Sequence, residues 1–190
     1  MAITHPPVPP AIREAFVAGI GDFTSQVPGA GLDPEKLSKA SNGIQVFALG
    51  LSELEASETL IDNHAVAAGW QFLLDGPAGP AMSSEVYQPG SGMPRVISFS
   101  RDKNNQEARW ALAMLERLPE VHEHDYDLRI LRIAGLGIDS FWLKSPAADQ
   151  PDLVVPFHTL FTEVRAGVAY PMAQFLNKAR PLIERTTPYA

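Results

Sequence analysis

Apolar residues recur along this chain in two rhythms, one helical and one of period two. After Pro10, the positions Ile12, Phe16, Ile20 and Phe23 fall on one face of a helix, and a proline is tolerated in a helix's first turn. Residues 25–34 hold Pro28, Gly29, Gly31 and Pro34 and read as a loop. The run from Ile44 to Leu51 is branched and aromatic enough for a strand. Ser52 with Glu55 then has the spacing of a capping box that starts a short helix reaching about Ile61. Three strand-like runs follow, Ala65–Leu74, Met82–Gln88 and Arg95–Arg101, separated by Asp75-Gly76-Pro77 and by Pro89-Gly90-Ser91-Gly92. Such short links favour an antiparallel meander.

A helix is expected over Asn105–Leu118, with Asn104 and Glu107 at its start and a buried stripe of Ala108, Leu112, Leu115 and Leu118. Tyr126–Ala134 and Ile138–Lys144 read as a hairpin around Gly135-Leu136-Gly137, and Asp152–His158 as a further strand, at an edge or ending near Pro156. Helices are predicted at 159–166 and 171–185, the second split or kinked at Pro181. The order does not alternate strand and helix as a doubly wound parallel sheet does. The expectation is one α+β domain over residues 1–190. Its sheet is antiparallel or mixed, a meander over 65–101 plus a hairpin over 126–145, with helices packed mainly on one face. A proline-rich arm, residues 1–9, is held extended by Pro6, Pro7 and Pro9.

Composition narrows the classes of function. With no cysteine there are no disulfides, no thiolate catalysis and no zinc or iron–sulfur site built on sulfur. The chain has no secretory leader pattern at its start and no run of apolar residues long enough to span a membrane. A cytoplasmic protein is the expectation. The net charge is −7, and residues 1–95 hold 4 basic against 10 acidic side chains. A basic field, the usual footprint of nucleic-acid or anionic-membrane binding, is not visible.

The most polar stretch is Glu120-Val121-His122-Glu123-His124-Asp125-Tyr126-Asp127. In an extended segment, His122 and His124 would point to one side with carboxylates around them, and His122, His124 and Asp125 are then candidate ligands for a divalent metal. A metal there would generate a hydrolytic nucleophile from water. The same residues also suit an ordinary solvated loop. Ser145, Asp152 and His158 suggest a triad, but the Gly-x-Ser-x-Gly elbow is missing. Gly29 and Gly31 lack the Lys-Ser/Thr ending of a phosphate loop. Arg101 could grip an anion at a helix start, and Arg129 or Arg132 could pair with Asp139 across the hairpin. Phe141 and Trp142 point to opposite faces of a strand, so one of them is a candidate exposed interface aromatic.

No motif specifies an activity. The reading placed first is a non-catalytic binding or assembly protein with a protein partner or a second copy of itself, without a cofactor, nucleic acid or membrane. A metal-dependent hydrolase using the 120–127 cluster and a small-ligand carrier are the alternatives.

Overall fold

The computed structural model describes residues 3–26, 42–57, 61–74, 82–90, 92–100 and 103–186. The Gly29–Gly31 segment, the Asp75-Gly76-Pro77 turn, Ser91, and Arg101 with Asp102 lie outside them. Among the described residues nine strands form one mixed sheet, in the order β5-β4-β3-β2-β6-β7-β8-β9, with β1 beside β6. The strands are β1 Ile3–Thr4, β2 Gly43–Ala48, β3 Val66–Leu74, β4 Met82–Tyr87, β5 Arg95–Ser100, β6 Tyr126–Ile133, β7 Ile138–Lys144, β8 Leu153–His158 and β9 Tyr170–Pro171. The predicted meander is present and gains β2, giving β2–β5. The predicted hairpin gains β8 and β9, giving β6–β9. The two meanders meet along the parallel pair β2–β6. A parallel pair cannot be closed by a tight turn, so the chain crosses between them through the helix over Lys103–Leu115.

Among the described residues the helices are α1 Pro10–Gln26, α2 Leu51–Ala56, α3 Lys103–Leu115, α4 Pro119–Glu123, α5 Met172–Ala179 and α6 Ile183–Thr186. Register sorts them onto two faces. Trp70 pairs with Gln45, Gln45 with Arg129, and Arg129 with Trp142, so these four lie in one row across the first face. On that face α1 buries Ile12, Phe16 and Ile20 against Trp70, Phe72, Leu74 and Val86. Farther along, α5 buries Phe175 and Leu176 against Leu131, Trp142 and Val154, with Leu54 of α2 in the same core. The second face carries α3, whose Ala108, Ala111 and Leu115 cover Ile44, Val46, Ile130, Phe141 and Val155. An α+β fold with most helices on one face of an antiparallel-dominated sheet is what the pattern predicted.

Some boundaries differ for physical reasons. The capping box at Ser52 is not used: Gly50 is the N-cap, and the Ser52 hydroxyl bonds Glu53 instead. Pro119 opens α4 rather than starting a loop. No helix forms over 159–166. There Val164 is fully buried in the core, the Thr159 hydroxyl accepts the amide of Phe161, and the Tyr170 hydroxyl accepts that of Arg165. These side-chain bonds and the left-handed Gly167 (φ 75°) hold a loop. Pro181 does split the last helix, with a 3₁₀ turn over Arg180–Leu182 between α5 and α6.

Candidate functional site

Strand position decides which side chains are available to a partner. Phe141 and Trp142 are both fully buried, because helices cover the sheet on both faces. Phe141 lies in the α3 core, 4.8 Å from Phe157 between ring centroids. Trp142 lies in the α5 core, edge-on to Phe47, with the Arg129 guanidinium 5.0 Å from its ring. Neither aromatic reaches the surface, which corrects the expectation that one of them marks an interface. Their opposite orientations were foreseen, but the coverage of both faces was not.

The 120–127 segment is extended only from His124 onwards. Pro119–Glu123 is helical, so His122 sits in the last turn of α4 and His124 follows as its extended C-cap. The shared side on which a His122, His124 and Asp125 ligand set depends does not form. Among the described residues no three His, Cys, Asp or Glu side chains gather in a way that could hold a metal ion.

The suggested triad is also pulled apart. Asp152 is a fold-building residue: one carboxylate oxygen accepts the Trp142 indole N–H (2.8 Å) and Lys144 Nζ (3.2 Å), and the other accepts the Ser145 amide (2.9 Å). It thereby shapes the 145–151 loop over a cavity of about 730 Å³ bounded by Ile61, Lys144 and Met172. His158 is at the opposite end of β8, on the order of 20 Å away at about 3.3 Å per residue. It bonds Glu107 of α3 instead, Nδ1 to Oε2 at 3.2 Å.

A second polar group closes the sheet on its α3 side. Arg132 pairs with its register neighbour Asp139 (2.9 Å) and reaches Glu85 of β4 (2.9 Å). Burial opposes the charge of this guanidinium, but Asp139 and Glu85 outweigh burial and hold its pKa above the ordinary arginine value. A guanidinium held this way is a permanent brace rather than a proton-transfer group. Gly69 permits the curl that brings β4 close, since a Cβ there would lie 2.3 Å from the Val86 carbonyl oxygen.

What remains open is the outer edge of β5. It ends the sheet, and among the described residues no strand pairs with its outer side. α1 runs alongside it: Gly19 lies against Val96, and Phe23 stacks on Phe99 with centroids 4.7 Å apart. Between them is a groove of about 540 Å³, lined by β5 from Pro94 through Phe99 and by Ala15, Ala18, Gly19, Asp22 and Phe23 of α1. Ala18 also borders a second hollow on α1, formed with Pro10, Arg13, Glu14 and Val17. The apolar side chains exposed around this margin are Met93 (82%), Ile97 (52%), Val17 and Tyr87. The other edge, β9, is two residues long and runs directly into α5. Sequence reasoning found β5 as a strand but could not place it at the rim, because strand order is not written in local pattern. The available signal was Ile97 beside Val96, two adjacent apolar residues that no alternation can bury together. A register shift in the β4–β5 pairing falls at this point.

Among the described residues, no helix is long and apolar enough to cross a membrane. No family model matches the chain, and no curated protein or solved structure is found to match it.

Proposed function

We propose that this chain is a non-catalytic binding and assembly protein whose contact site is the outer edge of β5 together with the adjoining side of α1. The observation that carries this reading is the strand itself. β5, six residues long, ends the sheet with no strand on its outer side among the described residues, and Ile97, whose side chain is half exposed, sits in its middle. An edge of this length is a template for another extended chain: main-chain hydrogen bonds supply affinity, and flanking pockets supply selection. The partner is therefore an extended polypeptide segment with apolar side chains, seated between β5 and α1. Asp152 and Arg132, elsewhere in the molecule, are engaged in building the fold.

The probe is a synthetic peptide covering Pro94–Ser100 of this chain, titrated into the 190-residue chain while amide exchange is followed by mass spectrometry. Exchange of Arg95–Ser100 is expected to slow in a saturable way. A peptide with proline at the positions of Val96 and Ser98 should have no effect, because proline removes the donors that pair. Unchanged exchange with the native peptide up to its solubility limit overturns the reading.

A further inference from the structure

We infer that the α3 side of the sheet carries a binding site for a primary alkylammonium ion, whose head is taken by Glu85 and Gln71. Register sets Gln71 of β3 between Ile44 of β2 and Glu85 of β4, on the face that α3 covers. Gln71 is only 8% exposed, yet its Oε1 is buried without a hydrogen-bond partner among the described residues. A buried acceptor left without a donor costs stability, and native proteins keep few of them. An apolar side chain of the same shape would fill the position at no such cost.

Charge points to the same place. Arg132 gives its Nε–H to Asp139 Oδ1 (2.9 Å) and its Nη1 hydrogens to the two oxygens of Glu85 (2.9 and 3.1 Å). Neither carboxylate has another ion pair among the described residues. Two carboxylates therefore share one guanidinium, and one negative charge is left over beside the unpartnered Gln71 oxygen. His158, the register neighbour of Asp139, does not supply the balance, because its Nδ1 is turned to Glu107 (3.2 Å). The Glu85 and Asp139 side chains are 21% and 20% exposed, so an ion can reach them from solvent.

The missing partner is both a donor and a cation. A metal ion does not fit, since among the described residues no three His, Cys, Asp or Glu side chains gather to hold one. A second guanidinium does not fit either, because Arg132 already fills the fork between the two carboxylates. Single lone pairs remain, and they suit a compact ammonium group with its three N–H donors. The rest of the ligand also has room. Ile44 and Leu73 flank Gln71 on the same face and line a cavity of about 350 Å³ together with Leu112 and Ala113 of α3. The two charges at this cavity, Arg109 and Glu116, are of opposite sign. The ligand is thus an amine on a short aliphatic chain, its head at Glu85 and its tail under α3. The outer edge of β5 takes no part, so this site stands or falls separately from edge binding.

The experiment titrates n-butylammonium chloride into the isotope-labelled 190-residue chain near neutral pH and follows proton–nitrogen NMR spectra. Tetramethylammonium chloride, with the same charge and no N–H donor, is the control. Butylammonium is expected to shift the Gln71 side-chain amide and the Glu85 and Asp139 backbone amides along one saturable curve, and tetramethylammonium to leave them in place. Gln71→Met removes the acceptor at nearly constant size. It is expected to keep the native circular dichroism and to weaken butylammonium binding about tenfold or more, read at the Glu85 and Asp139 amides. Glu85→Gln keeps an oxygen for Arg132 but removes the charge, and is expected to weaken binding in the same way. Absence of a shift with butylammonium, or equal shifts from the two cations, overturns the inference. Saturable binding that both variants leave unchanged overturns it too, because the amine would then sit elsewhere on the chain.

Discussion

Phe141 and Trp142 are adjacent in the chain but belong to different cores, and their surroundings decide what each can do. Trp142 combines full burial, an edge-on contact with Phe47 and an indole N–H given to Asp152. Trp142→Ala removes a large buried volume and is expected to lower stability by about 3–5 kcal/mol in urea denaturation. A surface interface residue would lose only about 0.5 kcal/mol or less, so the same measurement tests whether this side chain is core. Glycines provide a matched pair of tests. At Gly69 an added methyl meets the Val86 carbonyl oxygen at 2.3 Å, which is backbone and cannot swing away. Gly69→Ala is expected to destabilise by about 1–3 kcal/mol, as overpacking does. At Gly21, inside α1, an added methyl has nothing within 4 Å. Gly21→Ala should raise thermal stability by up to about 1 kcal/mol through helix propensity.

At the scale of elements, β6 is where the fold is joined, since β1, β2 and β7 all pair with it. Tyr126 opens this strand and is buried. Burial is the chief cause that raises its phenol pKa above the ordinary 10.0; Glu120 and Asp152 add to the rise, and a hydrogen bond with Gln150 opposes it. The unfolded chain therefore gives up this proton first as pH rises. Stability is intact below pH 10.0, the unfolded value, and falls as pH climbs from there towards the folded pKa. Tyr126→Phe should flatten the alkaline limb of a stability–pH curve, and a limb identical in the variant would exclude Tyr126 as its source. Elements with a strong internal signal were legible: α1 from Ile12, Phe16 and Ile20, the β3–β5 meander from its turns, and the break at Pro181 from proline chemistry. A pairing of Arg129 or Arg132 with Asp139 was legible as well, because a hairpin sets strands side by side, and the register makes the partner Arg132. The loop over 159–169 was not, since Val164 is held by distant packing and by hydroxyl-to-backbone bonds that local pattern does not reveal. The proposed site was hidden for a related reason: that β5 lies at a rim depends on β2 pairing with β6 across a gap of some eighty residues.

For the molecule as a whole, the question is whether two meanders joined along one parallel pair behave as one unit. The packing argues that they do. α3 lies over β2 of the first meander and over β6, β7 and β8 of the second, so Ala108, Ala111 and Leu115 share a core with Ile44, Val46, Ile130, Phe141 and Val155. Arg132 reaches from the second meander to Glu85 in the first, and Arg180, beyond β9, donates to the carbonyls of Leu54 and Ser57 at the end of α2. Neither half can open without exposing the apolar underside of α3 and stripping partners from buried or half-buried charges. The three tryptophans make this measurable, since Trp70 lies in the first meander's core, Trp142 in the second's and Trp110 on α3. A Trp110→Phe, Trp142→Phe chain reports on the first meander, and Trp110→Phe, Trp70→Phe on the second. Each should lose its tryptophan fluorescence at the same denaturant concentration as its own far-ultraviolet dichroism, as a cooperative transition requires. If instead fluorescence and dichroism part in either chain, one meander is melting before the other. The α3 core and the Arg132 brace would then be too weak to couple them, and the β5 edge would belong to a unit that can open by itself.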